Sequence, residues 1–251
     1  MSEVTIPLSQ AKTSIAEMQH SQQIALFAMA MLAELRESDS ESHILRVQQY
    51  VQVMAHKLST HDAFRDVLTP DYIDTLFNSV PLYDMGTVGV PDRILLKPSR
   101  LTASELAIMR THPTIGLDAL LRSERTRGHT SPLLSVAKEL VASHHEKWDG
   151  SGYPQGLAGS QIPVSARLVA LADVYDALIS NKVYKDGVSH DKAVQVIFGE
   201  RGAHFDPDLV DAFIEMQDEF AAIAQRYADT EADMQRKIEY LANAIAEQAE
   251  I

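Results

Sequence analysis

The sequence predicts an all-α fold, and three observations carry that prediction. Apolar residues recur every three or four positions through most of the 251 residues. No run alternates apolar and polar residues in the way of a half-buried strand. Glycine and proline gather in two segments, 85–102 and 149–163, which therefore read as loops between helices.

Ser14 to Arg36 reads as one helix, with Ile15, Met18, Met29 and Leu32 among its apolar positions. SDSES at 38–42 is a polar break rich in capping residues. Ile44 to Leu58 follows, with Val47, Val51, Met54 and Leu58 on one stripe, and then a shorter helix over Asp71 to Val80. Thr102 stands three residues before Glu105, a capping-box pattern that starts a helix. Pro113 disfavours helical geometry before it, so this helix is expected to end near His112 and another to run from Pro113 to Arg122. Residues 123–132 read as a polar loop, and Leu133 to Trp148 as a helix. Val164 to Ser180, His190 to Phe198 and a segment from Asp208 complete the central part. In the tail, Phe213, Met216, Phe220, Ile223 and Tyr227 step by three and four, as do Met234, Ile238, Leu241, Ile245 and Ala249. Such a tail either packs on its own core or pairs with a second copy. The expected division is an N-terminal helical extension over 1–37, a central domain over 38–225 and a C-terminal helix over 226–251.

Composition removes several function classes. There is no cysteine, so any metal must be held by His, Asp, Glu or Tyr. The net charge of −13 argues against a duplex nucleic acid partner. The longest uncharged apolar run, Ile24 to Ala33, has ten residues, against the roughly 20 that span a bilayer. The N-terminus lacks the basic-then-apolar order of a secretory signal, and a cytoplasmic protein is expected.

The ten histidines sort by face. His43 precedes Val47 and Val51 by four and eight residues. His112 follows Ile108 by four, and His144 and His145 follow Leu140 and Val141 by four each. These four point inward, whereas His20, His61, His129 and His190 lie in polar surroundings and read as surface residues. Buried imidazoles need polar partners. Asp173, inside RLVALADVYDAL, reads as a buried carboxylate with no basic residue three or four positions away, and Asp84 as semi-buried before a Gly-rich turn. An unpaired buried carboxylate costs several kcal/mol, so it must neutralise, pair or coordinate a cation. Neutral imidazoles with carboxylates suit a divalent ion such as Mn, Fe, Ni or Zn. The alternative is a metal-free His–Asp hydrogen-bond network.

The most specific string is HHEKWDGSGYP at 144–154. With SHILRVQQYV, VPLYDMGTVGVPDRILLKPSRLT, MRTHPTIG, GLAGSQIPVSARLVALADVYDAL and GAHFDPDLVDAF in this order, the chain resembles the HD-GYP branch of the HD phosphohydrolase superfamily from about residue 39 to 219. The resemblance implies an HD-domain helical bundle with added N- and C-terminal helices, and a metal-dependent phosphodiesterase acting on cyclic di-GMP. It implies metal ligation by His43, Asp84, His112, His144, His145 and Asp173, with Asp39 where some members carry a third-metal Glu. It also implies catalysis by way of Asp84 and Asp173 through a metal-activated water. Tyr153, Arg167, Asp176, Lys182 and Lys185 match nucleotide-pocket positions.

The departures matter as much. The usual His-Asp pair is here Tyr83-Asp84, and Thr87 stands where the family carries a lysine. Lys182 replaces an Arg, removing a bidentate fork. Tyr83 can ligate only as phenolate, whose free pKa of about 10 makes that unfavourable. One firm metal site around His112 and one doubtful site are therefore expected, with weak or no hydrolysis. Three functions stay open: a slow cyclic di-GMP phosphodiesterase, a non-catalytic sensor or adaptor with a protein partner, and a hydrolase of another phosphate ester. A homodimer through the C-terminal helix is a further expected association.

Overall fold

Helix stop and start signals set the architecture. The computed structural model describes residues 8–37, 41–97, 99–181 and 186–249. In order these form α1 (Leu8–Glu37), α2 (Glu41–Leu58), α3 (Pro70–Ser79), α4 (Asp92–Leu95), α5 (Ala103–Met109), α6 (His112–Arg127), α7 (Pro132–Ser143), α8 (Val164–Ile179), α9 (His190–Gly199), α10 (Pro207–Glu215), α11 (Gln217–Arg226) and α12 (Glu231–Ala249). Among the described residues there is no strand, only an isolated bridge between Arg201 and Phe205.

Local chemistry accounts for the ends. Thr69 and Ser131 cap α3 and α7 with their hydroxyls, each followed by a proline that supplies a fixed φ and lacks an N–H needing a partner. Thr102 and Glu105 form both bonds of the capping box that opens α5. Gly128, at φ 63°, stops α6 in the left-handed region. Helix α6 thus runs five residues beyond the expected Arg122, and the SERTR stretch is helical rather than loop. Helix α5 stops at Met109, three residues early. Helix α7 stops at Ser143 rather than Trp148, because the chain turns back on the Glu146 carboxylate, which accepts from the N–H groups of Gln155 (2.7 Å) and Leu157 (2.9 Å).

The core lies around α2 and α8. Tyr50 stacks on Phe220 with centroids 4.5 Å apart, and Tyr175 and Phe213 meet Phe220 edge-on. Phe213, Phe220 and Ile223 are buried, so the first half of the tail packs on its own core. Helix α1 is tied to the loop after α3. Arg36 donates to the carbonyls of Thr87 (3.1 Å), Val88 (2.6 Å) and Val90 (3.0 Å) and pairs with Asp92.

That loop meets α6 at Gly86. A Cβ there would lie 1.9 Å from the His112 carbonyl oxygen and 2.9 Å from the Gly116 nitrogen, both backbone atoms that cannot swing aside. Gly86→Ala is expected to cost at least about 1–3 kcal/mol through overpacking. A urea melt indistinguishable from the parent would contradict this.

Candidate metal centre

The α5–α6 junction and the end of α7 bring three imidazoles together. His112 opens α6, His144 caps α7 and His145 follows it. One ring nitrogen from each lies within 4.8 Å of the other two. His112 Nδ1 donates to the Met109 carbonyl at 2.7 Å, and His144 Nδ1 donates to the Leu140 carbonyl at 3.0 Å. A carbonyl can only accept, so both rings carry their proton on Nδ1 and a lone pair on Nε2. The two Nε2 atoms face each other at 3.3 Å. Asp84 Oδ1 lies 3.2 Å from the first and 3.8 Å from the second. Three electron-rich atoms converging this closely call for a cation.

A proton does not fill that role near neutrality. Burial, with the neighbouring His112, pushes His144 down to about 3. Burial lowers His112, and burial together with His144 and His112 lowers His145 strongly. Neutral imidazoles held by carbonyls through their far nitrogens are the donor set of a divalent metal site. His112, His144, His145 and Asp84 fit such an ion, which would supply a Lewis acid for phosphate oxygens.

The neighbouring position is different. The Tyr83 hydroxyl donates to Asp173 Oδ1 at 2.8 Å and lies 2.9 Å from His43 Nε2. His43 Nε2 and Asp173 Oδ1 are themselves only 3.5 Å apart. A phenol oxygen therefore lies within hydrogen-bond distance of both groups expected to share a metal, at the third corner of the triangle they form. Burial raises the Tyr83 pKa well above its usual value, and the charges of Asp173, Glu34 and Asp84 push it further. It stays a neutral hydroxyl, able to donate once and accept twice.

Behind this pair lies a buried ion pair. Asp176 is fully buried and accepts from Arg46 Nε (2.6 Å), Arg46 Nη2 (2.8 Å) and His43 Nδ1 (2.8 Å). Burial alone would raise its pKa, but hydrogen bonds and charge from His43 and Arg46 outweigh it and hold it low. Arg46 also reaches Ser180 (3.0 Å) and the Tyr227 carbonyl (2.9 Å).

Several expected roles change with these positions. Asp176 does not line a pocket, because both its oxygens are occupied inside the protein. Asp173, expected to be buried, keeps 27% of its side chain exposed and faces the Tyr83 hydroxyl. The two are three residues apart, and the deeper one is Asp176. Arg167 is not free for a ligand either. It donates to the Ile162 carbonyl (2.8 Å) and to Asp206 (2.7 Å), and lies over Trp148 and Phe64. It fastens the 149–163 loop to α8. His190, read as a surface residue, meets the Tyr175 hydroxyl at 2.8 Å. Tyr153 stacks on His145 with centroids 4.7 Å apart at 23°. Asp39, Lys182 and Lys185 lie outside the described residues.

Sequence reasoning missed Arg46, Glu146 and Glu34, all buried. Arg46 stands three residues after His43 on the same helix face, a signal that was available. Glu146 carried none, since its partners are backbone N–H groups of the following loop.

The family model described as HD domain matches residues 27–209. A protein of Vibrio cholerae named probable cyclic di-GMP phosphodiesterase is 51% identical over 218 residues, covering 87% of this chain and 49% of its own length. A cyclic di-GMP phosphodiesterase of Thermotoga maritima is 36% identical, covering 79% of this chain and 50% of its own. This chain thus spans about half the length of these relatives. In fold it resembles the crystal structure of a cyclic GMP-AMP-specific phosphodiesterase of Vibrio cholerae, with a TM-score of 0.57 at 18% identity over 90% of this chain and 59% of that one. No described helix is long and apolar enough to cross a membrane. The all-helical fold, the histidine cluster and the matched span together place this chain in the HD-domain family, as a member of the HD-GYP type.

Proposed function

We propose that this chain is a one-metal HD-GYP-type domain of cyclic di-GMP signalling. It hydrolyses the nucleotide weakly or not at all and serves as a sensor or regulatory adaptor for a protein partner. The carrying observation is the Tyr83 hydroxyl between His43 and Asp173. An ion entering there must displace a neutral phenol or strip its proton, and burial opposes the second route. Thr87 supports the same reading. Its hydroxyl donates to the Asp84 carbonyl at 2.8 Å and the residue is buried, so it offers no cation to a phosphate. Iron or manganese is the metal proposed for the histidine cluster. Dimerisation through α12 belongs to the same proposal, with Ile238 and Tyr240 exposed on that helix.

A second reading is an active cyclic di-GMP phosphodiesterase. The convergent His112, His144, His145 and Asp84 favour it, as do the names of the relatives.

Elemental analysis separates the two when combined with turnover of cyclic di-GMP. The parent is expected to hold one tight metal equivalent and to turn over slowly or not at all. Tyr83→His is expected to bind a second equivalent, and adding Thr87→Lys to restore hydrolysis. Two tight equivalents in the parent, or turnover at rates ordinary for a metal phosphodiesterase, would establish the second reading instead.

A further inference from the structure

The rim of the histidine cluster carries a cation that neither the ligand set nor the expected nucleotide positions include. Arg110 caps the end of α5, two residues before His112. Its guanidinium carbon lies 5.0 Å from the centroid of the Tyr153 ring. Tyr153 in turn stacks on His145, and its ring meets His112 edge-on at 6.4 Å. Guanidinium, phenol and imidazole thus adjoin one another in a series that ends at the candidate metal ligands.

The remaining chemistry of Arg110 is unspent. The residue is exposed, and among the described residues it has no carboxylate partner within ion-pair distance. Stacking on an aromatic face holds a guanidinium by its plane and leaves the N–H edge free. A planar fork of N–H donors with no acceptor of its own is matched to two oxygens of a phosphate. The side chain at 87 is turned into its own loop, so a phosphate at the metal centre has no cation from that strand of backbone.

We propose that Arg110 is the phosphate-recognising group of this site, held over Tyr153 so that its fork meets a phosphate or phosphodiester anion at the histidine cluster. This rests on the reading of the cluster as a phosphate-ester site and names a residue that orients the ligand there.

Calorimetric titration of the manganese-supplied chain with cyclic di-GMP, and separately with inorganic phosphate, tests it. Arg110→Ala is expected to weaken binding about 10- to 100-fold, the loss typical of a charge-assisted hydrogen bond. Arg110→Lys should fall between, because an ammonium keeps the charge but neither stacks nor forks. Metal content and melting temperature should stay at parental values in both variants, which a merely structural role would not allow. Arg110-dependent binding of either anion supports the proposal. If only phosphate shows it and cyclic di-GMP does not bind, the proposal holds and the cyclic di-GMP reading falls. If cyclic di-GMP binds equally well without Arg110, that reading holds and the proposal falls, unless phosphate binding depends on the residue. Affinity for both anions that is absent, or independent of Arg110, overturns it, as does a loss of metal from Arg110→Ala.

Discussion

Arg46→Met is expected to destabilise the chain by about 3–5 kcal/mol, the usual cost of breaking a buried ion pair from one side. Arg46 donates to both oxygens of Asp176, which is fully buried. With the guanidinium gone, the hydrogen bonds left to the carboxylate among the described residues come from His43 and, at 3.2 Å, from Ser180. Such a loss is a large share of the roughly 5–15 kcal/mol by which domains are stable. The sign with pH follows from the lowered pKa of Asp176. The contribution is complete above the unfolded carboxyl pKa of about 3.9, and is lost only as pH falls through the lower folded value. At neutral pH the whole effect is therefore visible. Removing both charges, as in Arg46→Met with Asp176→Leu, should recover part of the loss, since the orphaned charge is what costs most. Urea unfolding at neutral pH measures both variants. A loss below about 1 kcal/mol in Arg46→Met would mean that Asp176 relaxes to solvent, contrary to its burial.

Chelator-treated chain is expected to lose stability steeply on mild acidification. His144 is held down to about 3 and His204 to about 4, while His112 and His145 are also lowered, with burial the first cause in each case. In the unfolded chain these rings titrate near 6.5. Below that value the unfolded state binds protons that the folded state refuses, so unfolding becomes easier as pH falls. Stability is fully present above about 6.5 and declines beneath it, at up to 1.36 kcal/mol per pH unit for each such ring. Over two units that is about 2–3 kcal/mol for His144, and the lowered His112 and His145 add in the same direction. Bound metal should oppose the decline, because it too requires neutral imidazoles and binds only the folded cluster. Melting temperatures from pH 7.5 to pH 4.5, with and without chelator, report this. Overlapping curves for the two forms would show that the cluster holds no metal. A flat curve for the chelated form would show that the imidazoles are not excluded from water.

Much of the site was legible because burial follows periodicity. His43, His112 and His144 sit at spacings of four from apolar residues, and each is buried in the structure. Periodicity resolves a face, however, and not a depth. Asp173 and Asp176 share a face of α8, and spacing alone did not tell which one is enclosed. The same limit hid the role of Arg167. A cation one turn into a helix can reach outward to a ligand or back to a loop carbonyl, and the Ile162 carbonyl and Asp206 decide it here.

The sequence by itself determined the helices, their caps, the inward set of imidazoles and the anomaly at Tyr83 and Thr87, since all of these are local properties of residue type and spacing. Only the tertiary structure decided what those groups meet. It brings Arg46 to Asp176 across 130 positions, sets the Tyr83 hydroxyl between His43 and Asp173, and lays Arg110 over Tyr153. Hydrogen bonds and ion pairs act over about 3 Å, and which atoms come that close depends on how distant helices pack.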